Sequence, residues 1–104
     1  MSDIDMSKLR QTILDDGDKD YTGLYEIIWS LNTHYPDVER VAKVAAARKI
    51  TLDLLREGEI SFYTTRWASN HYDPVPAAEA FRLAASPEAW DDPSDDPYVC
   101  YATP

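Results

Sequence analysis

The chain has 104 residues, 44% of them hydrophobic and 28% charged, with 19 acidic against 10 basic residues and a formal net charge of -9. That length supports one domain, residues 1–104, and is too short for two, while three Trp and seven Tyr exclude a disordered acidic tail. The charge disfavours generic nucleic-acid binding, which rests on Lys and Arg displacing counterions from phosphates, and favours encounter with a basic partner, although solubility accounts for it equally well.

No apolar run of about 18 residues offers a membrane span, and the first residues are polar and acidic, unlike a secretory signal. A cytoplasmic location is therefore expected. Cys100 is the single cysteine, so neither an internal disulfide nor a cysteine zinc cluster is available.

Along the chain, Met6, Leu9 and Ile13 recur at helical spacing and predict a first helix over residues 3–14, closed by the turn signal Asp15-Asp16-Gly17-Asp18. A second helix starts near Asp20 or Thr22 and places Leu24, Ile27, Ile28 and Leu31 in one stripe. Tyr21, Tyr25 and Trp29 widen that stripe to an arc of roughly 200°. Either the helix lies centrally, which is the expectation, or the aromatic flank waits for a partner.

Pro36 with Asp37 and Glu39 predicts a third helix from residue 36, with Val38, Val41, Ala45, Leu52 and Leu55 as its stripe and Gly58 as its C′ cap. The β-branched pair Ile50 and Thr51 marks a place where residues 36–58 would bend or divide.

Residues 59–67 alternate Ile60, Phe62 and Thr64 with Ser61, Tyr63 and Thr65, the period of a strand. A loop over 68–74, a short helix over 77–85, one further turn carrying Trp90 and a last strand over 98–103 follow. The two strands are expected to pair antiparallel. The expected fold is α+β: three N-terminal helices followed by a two-stranded antiparallel ribbon with a short helical insertion.

The passage Leu54-Leu55-Arg56-Glu57-Gly58-Glu59-Ile60, a helix running through Gly into a strand, resembles the helix-to-wing passage of winged-helix domains over roughly residues 20–67. The downstream stretch from Pro74 to Val99 looks like short winged-helix-like bacterial proteins. The resemblance implies an architecture and no activity. Arg40, Lys43, Arg48, Lys49 and Arg56 interleave with Asp37, Glu39, Asp53, Glu57 and Glu59, a pattern of ion pairs on a helix surface. No Gly-containing turn divides 36–58 to set off a DNA-reading helix.

No metal site is expected, because His34 and His71 stand in separate loops and Pro93 interrupts Asp91, Asp92, Asp95 and Asp96. Cys100 sits between Val99 and Tyr101 in a strand and reads as a structural thiol. With no Gly-rich phosphate loop and no contrasting carboxylate pair, neither a cofactor nor catalysis is expected.

The unusual segment is 88–98, five acids and no base, with aromatics near both ends. As a partner-binding surface it would use Trp90 and Tyr98 as anchors and Glu88, Asp91, Asp92, Asp95 and Asp96 as charges. In the plainer alternative the two aromatics pin a polar loop to the core. The resulting expectation is a small acidic protein that binds and neutralises a basic protein partner, as an immunity protein or antitoxin masking a toxin does. The alternatives are a winged-helix DNA-associated regulator and an acidic nucleic-acid mimic drawing on the acid runs at 15–20 and 88–96.

Overall fold

In the computed structural model, which describes residues 4–66, 70–91 and 98–104, the first helix, α1 (Met6–Lys19), starts where Asp5 accepts the Lys8 N–H at 3.1 Å. It runs straight through the expected turn at 15–18. Gly17 is the reason: it is buried in the helix, and a Cβ there would lie 2.8 Å from Tyr101 Cε2. The glycine admits a tyrosine ring instead of ending the helix, which offsets its roughly 1 kcal/mol propensity penalty. Tyr101 donates its hydroxyl to Ile13 O at 2.9 Å, and Thr103 N–H reaches Gly17 O at 3.1 Å, tying the end of the chain to this helix.

After α1, two residues form β1 (Thr22–Gly23), and α2 (Leu24–His34) follows directly. Leu24, Ile27, Ile28 and Leu31 are all buried, as their spacing predicts. This helix touches α3, the sheet and the turn at 87–90, yet those neighbours leave its aromatic flank partly uncovered, with Tyr21 39% and Trp29 50% exposed.

Helix α3 (Arg40–Glu57) begins four residues later than expected. Pro36 and Asp37 form a tight turn in which Tyr35 O accepts the Val38 N–H at 3.1 Å, and Glu39 stays extended as N-cap. From there the helix is a single unbroken one. Its inner face is Lys43, Ala47, Ile50, Thr51 and Leu54, whereas Val41, on the expected stripe, is 78% exposed. Two polar residues inside that face hid it from a hydropathy reading. Lys43 Nζ donates to Asn32 Oδ1 at 2.9 Å. Gly58 closes the helix at φ 75°, with Gly58 N–H on Leu55 O and Glu59 N–H on Leu54 O, the paired bonds of a Schellman cap.

Among the described residues the expected two-stranded ribbon is instead the centre of a four-stranded antiparallel sheet in the order β1-β4-β2-β3, accompanied by four α-helices. Strands β2 (Ser61–Thr65) and β4 (Tyr98–Ala102) pair as expected, from Ser61 opposite Ala102 to Thr65 opposite Tyr98. The outer strands are short pairings that local pattern does not betray. Thr22 and Gly23 face Tyr101 and Cys100, and β3 (Asp73–Pro74), expected as loop, faces Thr64 and Tyr63. Pro74 and Asp73 suit an edge, since proline offers no donor and a carboxylate discourages further pairing.

Helix α4 (Ala77–Ala85) and a 3₁₀ turn (Pro87–Trp90) complete the inner layer. Ile60, Phe62 and Tyr101 point from the sheet into one core with Leu9, Ile13, Leu24, Ile28, Leu54, Ala84 and Trp90. Strand alternation then sends Tyr63, Thr65, Tyr98 and Cys100 to the opposite face.

Candidate functional site: the aromatic outer face of the sheet

The outer face begins with a missing side chain. Gly23 stands opposite Cys100, which stands opposite Tyr63, and a Cβ on Gly23 would lie 2.3 Å from Tyr25 Cε1. The Tyr25 ring therefore lies down over β1. It meets Trp29, one helical turn on, edge to face at 4.8 Å, and Tyr98 at 5.9 Å and 73°.

A second group adjoins the Gly23, Cys100 and Tyr63 row from the other edge. Tyr21 stacks on Tyr72 with centroids 3.7 Å apart and planes 7° from parallel, and meets Tyr63 edge to face at 5.0 Å. Six rings thus roof one face. Tyr25 is only 7% exposed, while Tyr21 is 39% and Trp29 50% exposed.

Charge around this roof is set by two carboxylates, each steadied by the backbone. Asp20 Oδ1 accepts the Tyr21 N–H at 2.7 Å, and Glu26 Oε2 accepts the Gly23 N–H at 2.6 Å as half of a capping box. On the β3 side, His71 Nε2 lies 2.7 Å from Asp73 Oδ1. Burial first, then Asp20, Cys100 and Tyr21, raises the Tyr72 pKa above its ordinary value. Under the roof, burial, then Glu26 and Asp20, pushes the Cys100 thiol up to about 12. It remains a protonated structural thiol at neutral pH.

Of the residues singled out at 88–98, the described ones do not share one surface. Trp90 is 0% exposed and donates its indole N–H to Ala84 O at 3.0 Å; it anchors the 3₁₀ turn to the core and is not available to a partner. That corrects the expected anchor, for a large ring with a satisfied N–H is worth most inside. Glu88 is exposed, bonded to the Ser86 hydroxyl, and this contact, then its own backbone N–H, lowers its pKa. Asp91 is exposed and pairs with Arg40 at 2.7 Å. Asp92, Asp95 and Asp96 lie outside the described residues. Tyr98 is half-buried and belongs to the aromatic roof.

Two roof members, Tyr63 and Tyr72, escaped notice as site residues. The alternation in 59–67 carried the signal for Tyr63, since Phe62 inside places Tyr63 outside. Nothing local marked Tyr72, which the β2–β3 pairing brings in.

Elsewhere four of the five basic residues of α3 are engaged. Lys49 and Arg56 meet Asp53, Arg40 meets Asp91, and Lys43 is buried. A groove of about 250 Å³ between α1 and α2 is lined by Leu9, Leu31 and Tyr35 with Lys8, Thr12, Ser30 and His34, whose Nδ1 donates to Ser30 O at 2.8 Å. Among the described residues no group of three His, Cys, Asp or Glu could hold a metal ion, and no helix is long and apolar enough to cross a membrane.

Fold and site together define an α+β domain with helices on one face of an antiparallel sheet and an aromatic, acid-flanked surface on the other. No family model, curated protein or solved structure matches the chain.

Proposed function

We propose that this protein is a binding module that engages a basic protein partner through the aromatic outer face of its sheet, in the manner of an immunity protein or antitoxin. The carrying observation is the exposure of Trp29 and Tyr21, each within a pre-packed group of three rings. Tyr and Trp are the side chains that most often anchor interfaces. Rings already held by one another lose little conformational freedom on binding.

Charge supplies the sign of the partner. With a net charge of -9 and Asp20 and Glu26 beside the rings, a basic surface is drawn in faster, and salt slows that approach. A partner covered on its basic surface loses access to its own anionic target, which is how such a module would neutralise it.

Co-expression with the products of neighbouring genes tests the reading. The expected result is a complex that survives size-exclusion chromatography and weakens at least about tenfold in Tyr21→Ala or Trp29→Ala. Failure of any toxic neighbour to bind, or a complex indifferent to both substitutions, removes the case.

A further inference from the structure

The groove between α1 and α2 is walled by two pairs of polar side chains, each pair four residues apart and so on one helix face. Lys8 and Thr12 line it from α1, and Ser30 and His34 from α2, with the buried Leu9 and Leu31 as an apolar floor. The bond from His34 Nδ1 to Ser30 O holds that ring in place. The Tyr35 hydroxyl, which also lines the groove, accepts the Asp5 N–H at 3.2 Å and is thereby fixed at the start of α1. The groove is therefore formed before anything enters it, as small-molecule sites usually are.

Its charge runs against that of the chain. The net charge is -9, yet among the described residues no acid lines this groove and the Lys8 ammonium forms no ion pair. Asp5 stays outside it, with Oδ1 taken by the Lys8 backbone N–H. One unpaired cation, hydroxyl donors on both walls and a leucine floor suit a monoanion with an apolar body. An ammonium meets a carboxylate in a charge-assisted hydrogen bond, and the floor takes hydrocarbon out of water. The volume of about 250 Å³ lies below the roughly 300–1,000 Å³ of sites for drug-sized ligands, so the occupant is small.

We propose that this groove is a second binding site, for a small aromatic or branched aliphatic monocarboxylate whose carboxylate meets Lys8 and whose body lies over Leu9 and Leu31. None of its described lining residues belongs to the aromatic roof, so the site goes beyond the docking face and does not depend on it. A phosphate dianion suits it less, because the groove offers one permanent positive charge. A protein partner needs about 20–30 residues a side, far beyond this lining.

The test titrates benzoate, benzamide, acetate and inorganic phosphate against the full chain at one pH and follows backbone amide shifts. Benzoate should bind at least about tenfold tighter than benzamide, the worth of one charge-assisted hydrogen bond, and tighter than acetate, which has no ring for the floor. The shifts should centre on Lys8, Thr12, Ser30 and His34. Lys8→Met, at an exposed position, keeps the length of the side chain and should abolish the advantage of benzoate over benzamide. Ser30→Leu fills the groove and should weaken both. A benzoate Kd weaker than about 10 mM, equal affinities for benzoate and benzamide, phosphate or acetate binding as tightly as benzoate, or an advantage that survives Lys8→Met would overturn the proposal. So would shifts centred elsewhere, or no response of these amides to benzoate while a protein neighbour moves them, which would make the groove part of that partner's contact.

Discussion

The two faces of the sheet are built from the same strands and the same residue types, yet they do opposite work. Phe62 and Tyr101 are opposite each other on the inner face, both essentially inaccessible, and the Tyr101 hydroxyl is spent on Ile13 O. Tyr63, one residue from Phe62, and Tyr98, three from Tyr101, sit on the outer face, only partly covered and covered by other rings. Helices close the first surface, and only side chains roof the second. The four aromatic residues of β2 and β4 therefore divide between core and outer face by strand parity, not by hydrophobicity.

The largest expected effect breaks the inner face. Phe62→Ala or Trp90→Ala removes a fully buried ring and costs roughly 3–5 kcal/mol, read as a fall in the urea midpoint. A loss under about 1 kcal/mol would mean that the inner face is not the core.

Gly17→Ala tests the contact between α1 and the sheet. Helix propensity alone predicts a gain of about 1 kcal/mol, but the new methyl meets Tyr101 at 2.8 Å, and overpacking of this kind costs about 1–3 kcal/mol. Net destabilisation in thermal melts is expected; a stabilised variant would show that α1 does not press on β4.

Alkaline pH probes both faces together. Burial raises the Tyr101 phenol on the inner side, and under the outer roof it pushes Cys100 up to about 12 from an ordinary 9.0. Both groups release protons more readily when unfolded, so their contribution to stability is complete below about pH 9 and is lost as pH rises from there toward 12. Denaturation midpoints should fall across that window, and Cys100→Ala should flatten the fall.

Thr51→Val is expected to stabilise by about 1 kcal/mol, because the buried Thr51 hydroxyl has no hydrogen-bond partner among the described residues and a methyl of the same shape needs none. The smallest effect on stability belongs to the outer face: Tyr21→Ala and Trp29→Ala should shift it by no more than about 1 kcal/mol while weakening partner binding at least about tenfold. Substitutions that unfold the chain would make these rings core residues and erase the contrast between faces.

Much of this was legible in the residues themselves. The α2 stripe, the Gly58 cap, the pairing of β2 with β4 and the turn at Pro87 follow from periods and caps confined to a few neighbouring residues, which is where propensity and hydrogen-bond geometry act. The Tyr21, Tyr25 and Trp29 flank was legible too, but only as the alternative to a central helix, while the expected surface lay at 88–98. What only the tertiary structure decided depends on partners distant in sequence. Gly17 reads as a helix end until Tyr101 fills the space above it. Thr22–Gly23 and Asp73–Pro74 become strands because β4 and β2 present unpaired backbone groups to them. Trp90 reads as an anchor for a partner until Ala84 O and the core take it. The roof itself gathers residues 21 to 98, and no local pattern can bring together rings whose neighbourhood is created by the pairing of strands.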